Sequence, residues 1–186
     1  MTEKIESYPI QIGAVKRDLR LFEVAPGVRI AILNILGDTP FVQAASKALA
    51  GKLADFEFDA LITAEAKSIP LAYQLSVDTN TPYVVLRKSY KVYMGDALKC
   101  ETVSITTGKP QTLYLDQKDR DLIAGKTVVL VDDVISTGST LDSMCQIMDE
   151  AGATVVANAA IFTEGDAKKW KDVVALGNLP VWIEGE

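Results

Sequence analysis

Residues 128–140, VVLVDDVISTGST, constrain this chain more than any other stretch. Val128 to Val131 form an apolar run with no polar face, as in a parallel strand covered on both sides. The run ends in Asp132-Asp133, and after two more apolar residues Ser136-Thr137-Gly138-Ser139-Thr140 opens a helix. Small residues there expose consecutive backbone N–H groups. Unpaired donors and the positive end of the helix dipole favour an anion, best a phosphate monoester. Gly138 lets the backbone approach closely. Two adjacent carboxylates would repel a lone phosphate. They fit a ligand that also carries vicinal hydroxyls or a Mg2+ ion, and a sugar phosphate with free hydroxyls meets both demands. A capped strand–turn–helix junction accounts for a lone DD or a lone STGST, but poorly for the joined string. A phospho-receiver domain carries its acidic pair early in the chain and lacks the hydroxyl-rich loop. A nucleotide P-loop needs a Lys after the glycines, and none is here.

The rest of the chain alternates strand and helix in the same manner. Val28–Leu36 reads as a strand after the Pro26-Gly27 turn. Thr39-Pro40 fits a helix start, with Thr39 as N-cap, and Phe41, Ala44, Ala45, Ala48, Leu49 and Leu53 follow at helical spacing. Phe58–Ala64 reads as a buried strand, Ile69–Val77 as a short helix and Pro82–Leu86 as the next strand. From Arg87 to Asp116 the sequence suggests a long, partly mobile β-hairpin, then a helical turn to Ala124. The Gly138–Ala151 helix places Leu141, Cys145, Ile147 and Met148 on its apolar side, and Gly152 suits its stop. Ala153–Phe162 is another buried strand. The tail reads as a short helix around Trp170 and one or two short strands, and residues 1–20 as a peripheral helix or strand. This order argues an α/β fold with a mainly parallel central sheet flanked by helices. Ligands in such sheets bind beyond the carboxyl ends of the strands. The loops after Ile62, Leu86 and Val131 are therefore the ones to watch.

Composition narrows the chemistry. The 186 residues include no His, which removes the Ser-His-Asp triad, the Cys-His dyad and every His-ligated metal site. Acid–base work falls to carboxylates, Lys, Tyr or water. Nineteen Lys and Arg against twenty-five Asp and Glu give a net charge of −6, which argues against nucleic acid as the main partner. Two cysteines, Cys100 and Cys145, suggest a reducing compartment. MTEKIESYPI has no apolar signal core, and no apolar run nears the ~18 residues that span a bilayer. A cytoplasmic protein without a membrane partner is the expectation. At ~150 residues per domain, residues 1–186 make one domain.

The 128–140 string resembles the phosphoribosyl-pyrophosphate (PRPP) signature of type I phosphoribosyltransferases. The resemblance extends over residues ~25–165. Ala25-Pro26-Gly27-Val28 is similar to a segment near the start of adenine phosphoribosyltransferases. Ile62–Ala72, ITAEAKSIPLA, resembles the pyrophosphate loop of the purine branch, although Glu65 stands near where an Arg often sits. Val84–Lys88 with Lys91 resembles the next strand and its basic end. Glu164 falls where purine enzymes carry an acidic residue.

The resemblance implies the type I phosphoribosyltransferase fold, with a flexible hairpin and a small hood formed by about residues 1–35 and 163–186. It implies transfer of a 5-phosphoribosyl group from PRPP to a purine with Mg2+. Asp132 and Asp133 would meet the ribose hydroxyls, directly or through Mg2+ and water. Ser136, Thr137, Gly138, Ser139 and Thr140 would hold the 5′-phosphate. Ala64, Glu65, Ala66 and Lys67 would lie against the pyrophosphate, completed by Arg87, Lys88 and Lys91. Val28 and Glu164 would belong to the base side. Homodimers are common in the family. Adenine is the expected base, ahead of xanthine or hypoxanthine/guanine.

One departure favours a third reading. Adenine enzymes carry a hairpin Glu that helps protonate the base, whereas Val103–Gly108, VSITTG, has no carboxylate there, and Glu101 is the closest upstream. That hairpin resembles the PRPP-sensing domain of bacterial purine operon repressors, which bind PRPP without turning it over. Those repressors also carry an N-terminal winged helix, for which this sequence leaves no room before residue 25.

Overall fold

The structure, a computed structural model, describes residues 6–103 and 110–184. Five strands form a parallel sheet: β4 (Ala60–Ala64), β5 (Tyr83–Leu86), β8 (Thr127–Ile135), β9 (Thr154–Glu164) and β10 (Val173–Leu179), in the order β10-β9-β8-β4-β5. The apolar runs are continuous because both faces are covered. Leu61, Val129 and Val131 point into one core with helices α1 (Thr39–Lys52) and α2 (Ile69–Thr79). Ala60, Ile62, Val128 and Leu130 point into a second core. It is completed by α3 (Gln117–Ile123), α4 (Ser139–Ala151) and the antiparallel pair β6 (Leu98–Val103) and β7 (Pro110–Leu115).

A separate antiparallel sheet, order β1-β2-β3-β11, brings β1 (Ser7–Ile12), β2 (Val15–Ala25) and β3 (Val28–Ala31) together with β11 (Val181–Ile183). The two ends of the chain thus share one sheet over the carboxyl ends of the parallel strands. Of residues 1–20, read as a peripheral helix or strand, those from Ser7 onward lie in the strand hairpin of β1 and β2. The strand expected over Val28–Leu36 ends at Ala31, and Leu33 and Ile35 are buried in the first core without a ladder.

Four local features differ from the expectation. Asp38, not Thr39, caps α1: its carboxylate accepts from Phe41 N at 3.3 Å while Arg17 Nε holds it at 2.7 Å. The Arg17 guanidinium keeps the Asp38 carboxyl below its usual range. The buried side of α4 is centred on Met144, Ile147, Met148 and Ala151, and Leu141 and Cys145 pack at its margin. The arms of the hairpin expected from Arg87 begin only at Leu98, after an exposed loop with a 3-10 turn at Val92–Met94. Cys100, expected in the mobile part, is buried, and its thiol donates to Gln146 Oε1 at 3.1 Å. Ser104–Gly108, where the missing carboxylate was read, lie outside the described residues.

Candidate active site

The sheet order places β4 and β8 side by side, yet the chain leaves β4 toward β5 on one side and continues from β8 toward β9 on the other. That reversal opens a crevice at the strands' carboxyl ends. The register shows how the acidic pair enters it. β4 pairs with β8 only up to Thr63 opposite Val131, and β9 continues to pair with β8 as far as Ile135. Asp132 and Asp133 therefore belong to the strand, which runs four residues past its apolar run, and stand where β4 has turned away.

Ser68, the residue before α2, spans the crevice. Its hydroxyl donates to Asp132 Oδ1 at 2.6 Å and lies 3.3 Å from Asp133 Oδ1, and it accepts from Asp133 N at 3.2 Å. Asp133 N also donates to Asp132 Oδ1 at 2.9 Å. Across the crevice Lys67 Nζ lies 3.0 Å from Asp133 Oδ2 and donates to the Leu33 carbonyl at 3.2 Å. Asp133 is buried, and the Lys67 ammonium is the partner of its Oδ2. Desolvation, and after it the neighbouring Asp133 charge, push Asp132 up from 3.8 to about 7, with the Ser68 hydroxyl acting the other way. Two adjacent carboxyls, one of them buried, that share a single ammonium suit partners that a ligand brings, such as hydroxyls or a cation. Among the described residues no three His, Cys, Asp or Glu cluster to hold a metal by themselves. The pair therefore fits an ion that arrives with phosphate oxygens of its own.

Beyond β8 the chain turns through Ser136–Gly138 into α4 and forms a small cradle of about 100 Å3, lined by Asp132, Ser136, Thr137, Gly138 and Thr140. Gly138 has φ +91°, and a Cβ there would meet Trp170 Cη2 at 2.7 Å. Glycine is required by conformation and by space at once. Thr137 Oγ1 lies 3.2 Å from Ser139 Oγ, and Lys169 Nζ donates to the Thr137 carbonyl at 2.8 Å. Trp170, on the 3-10 turn Ala167–Trp170, donates from Nε1 to the Glu164 carbonyl at 3.2 Å.

A larger cavity of about 810 Å3 adjoins the cradle. Its walls are apolar residues of β2, β3 and β11, including Val24, Val28, Ile30 and Val181, and its polar groups are Lys67, Asp133, Ser136 and Glu164. Ser136 Oγ donates to Glu164 Oε1 at 2.5 Å. Another cavity, of about 660 Å3 beside Asp59 and Thr127, lies at the opposite end of the sheet and holds none of the expected site residues.

The structure thus brings Asp132, Asp133, Lys67, Ser136–Thr140, Val28 and Glu164 to one crevice. Ala64 is the last residue of β4, and a cis peptide joins Glu65 to Ala66. Glu65 faces the β5 end, where Oε2 accepts from Arg87 Nε at 2.7 Å and Oε1 from Lys88 N. Lys67, expected on the pyrophosphate side, reaches toward Asp133 and the larger cavity instead. Lys88 and Lys91 are exposed on the loop after β5 and line neither the cradle nor the larger cavity. Sequence reasoning missed Ser68, Lys169 and Trp170. Ser68 lies in the quoted loop, so its hydroxyl beside Lys67 was a usable signal. Lys169 and Trp170 sit about thirty residues from the cradle, and only the return of the chain after β9 brings them there.

Comparison with known proteins agrees with this geometry. The family model for the phosphoribosyl transferase domain matches residues 33–180. The hypoxanthine/guanine phosphoribosyltransferase of Methanococcus voltae is 31% identical over 168 residues, 90% of this chain and 82% of that protein. The purine biosynthesis transcriptional repressor PurR of Bacillus subtilis is 31% identical over 143 residues, 77% of this chain. This chain spans about half of that repressor's length, 49%. In fold, the adenine phosphoribosyltransferase of Thermoanaerobacter pseudethanolicus is similar, with a TM-score of 0.71 at 22% identity over 86% of this chain and 95% of that one. The Trypanosoma brucei adenine phosphoribosyl transferase, solved with AMP, pyrophosphate and ribose-5-phosphate, has a TM-score of 0.64 at 20% identity over 81% and 70%. With the motif at its strand end and the family match over four-fifths of its length, the chain belongs to the type I phosphoribosyltransferase family.

Proposed function

We propose that this protein transfers the 5-phosphoribosyl group of PRPP to a purine base, releasing pyrophosphate. The observation that carries the reading is the continuity of three features along one crevice. A cradle of small hydroxyl residues opens α4, an acidic pair with Asp133 buried stands beside it, and an apolar cavity of about 810 Å3 adjoins both. In this reading the cradle holds the 5′-phosphate through Ser136–Thr140, and Asp132 and Asp133 take the ribose hydroxyls. Lys67 is released from Asp133 as ligand enters. The Ala64–Lys67 loop with Arg87, Lys88 and Lys91 forms the pyrophosphate side, and Val28 and Glu164 border the base. The base nitrogen displaces pyrophosphate at ribose C1 through an oxocarbenium-like transition state, whose positive charge the acidic pair stabilises. Mg2+ arriving with PRPP would rest against Asp132 and Asp133 and offset charge on the leaving group. The β1-β2-β3-β11 sheet serves as the hood of a single domain, in a cytoplasmic homodimer.

For the base, the relatives that share about a third of their residues support a 6-oxopurine, hypoxanthine or guanine, over the adenine expected from overall resemblance. The adenine phosphoribosyltransferase neighbours, at 22% identity and below, speak to the fold alone. A Mg2+-dependent assay of pyrophosphate release from PRPP with hypoxanthine, guanine, xanthine and adenine tests the proposal. Release with hypoxanthine or guanine supports it, and release with adenine alone returns the base to the first expectation.

The repressor relative favours a second reading, a PRPP-binding regulator without turnover. Folded protein that binds PRPP and releases no pyrophosphate with any base would establish it.

A further inference from the structure

Ser136 and Glu164 form a pair that phosphate binding does not explain. Ser136 is the polar residue that lines both the phosphate cradle and the larger cavity. Its hydroxyl donates at 2.5 Å to Oε1 of Glu164, a residue that lines the larger cavity and not the cradle. Glu164 is 8% exposed, at the last position of β9. Its backbone is held on two sides: it pairs with Leu179 of β10, and its carbonyl accepts from Trp170 Nε1. Among the described residues no cation pairs with this carboxylate, and a buried carboxylate whose side-chain partner is one hydroxyl on a cavity wall is costly to keep.

We propose that Ser136 and Glu164 form the proton relay on the base side of the reaction, an inference that rests on the transferase reading above. A ribose with its 5′-phosphate in the cradle and its hydroxyls on Asp132 and Asp133 turns C1 toward the larger cavity. The attacking nitrogen then lies near the junction where Ser136 stands. As that nitrogen bonds to C1, the C1–O bond to pyrophosphate breaks and pyrophosphate leaves with the electron pair. The nitrogen's proton passes to Ser136 Oγ while the Ser136 proton passes to Glu164 Oε1, which becomes a neutral carboxylic acid. Loss of that proton to water as product departs resets the pair. The chain has no His for this task.

Glu164→Gln is the test, because glutamine can still accept the Ser136 hydrogen bond through its carbonyl but cannot take the proton. Turnover is measured with the purine that the wild type uses and with its 8-aza analogue, whose ring N–H is more acidic. PRPP binding is measured by calorimetry. The expectation is an unchanged melting temperature, a PRPP Kd within about twofold, and kcat lowered about 100-fold with little change in KM for the base. The loss should shrink to about tenfold or less with the 8-aza base. A kcat within threefold of wild type, or an equal loss with both bases, overturns the relay. Should Glu164→Gln fail to fold, Ser136→Ala is read by the same base-acidity comparison. Wild-type protein that binds PRPP but turns over no base overturns the transferase reading and the relay together. Active wild type with an unimpaired variant overturns the relay alone.

Discussion

The two sides of the crevice are built differently. At the end of β8 the carboxylates are already tied: Ser68, Lys67 and the Asp133 amide hold them within hydrogen-bonding distance, and Asp133 is buried. At the end of β5 the basic groups stand in solvent. Lys88 and Lys91 are exposed, Arg87 is spoken for by Glu65, and Tyr93 and Val92 beside them are 67% and 91% exposed. The first side has its geometry set by packing before ligand arrives. The second offers charge without position, and charges in solvent contribute weakly until something fixes them. The contrast teaches preorganisation at the β8 end, proposed above for the ribose phosphate, and adaptability at the β5 end, proposed for the pyrophosphate.

The contrast can be broken from the organised side first. Changing Asp132 and Asp133 together to Asn should lower turnover at least about 1,000-fold with the fold retained, checked by circular dichroism and pyrophosphate release. Near-wild-type turnover would remove the acidic pair from the site. Gly138→Ala should follow in size. Its Cβ meets the Trp170 ring at 2.7 Å and the backbone sits at φ +91°. A stability loss of about 1–3 kcal/mol, read by urea unfolding, should accompany at least a tenfold loss in PRPP affinity.

The acidic pair also makes a pH prediction. The folded-state pKa of Asp132 is raised from 3.8 toward about 7, so the folded protein holds that proton more tightly than the unfolded chain. Stability from this group is greatest at low pH. It falls as pH rises through that window and is level above it. The melting temperature of the metal-free protein should therefore drop between about pH 4 and pH 7 more steeply in wild type than in Asp132→Asn. At pH 8 the variant should melt several degrees higher, about 2–4 °C for each kcal/mol of relieved repulsion. Equal slopes would show that the pair carries no strain. The smallest effect is expected on the adaptable side. Lys88→Ala or Lys91→Ala should weaken PRPP binding only about two- to fivefold, and less at high salt. A loss as large as that of Gly138→Ala would show that this side, too, is organised before binding.

Much of this could be read along the chain. The strand and helix alternation, the parallel sheet and the strand–turn–helix at 128–140 follow from local rules: apolar runs covered on both faces, Gly at positive φ, small residues at a helix start. Those rules act within a few residues, so one sequence carries them. Cap and strand limits were less legible. Asp38 displaces Thr39 because Arg17, twenty-one residues away, holds its carboxylate, and β8 outruns its apolar residues because β9 keeps pairing with it.

Tertiary structure alone decided who meets whom. Ser68 touches Asp132 across sixty-four residues, Ser136 meets Glu164 across twenty-eight, and Trp170 closes on Gly138 through a return that no local pattern encodes. The sheet order that puts β4 beside β8 is the physical reason. Local propensity sets each element and its ends, but the pairing of distant strands determines which loop faces which, and so where carboxylate, hydroxyl and ammonium come within 3 Å of one another.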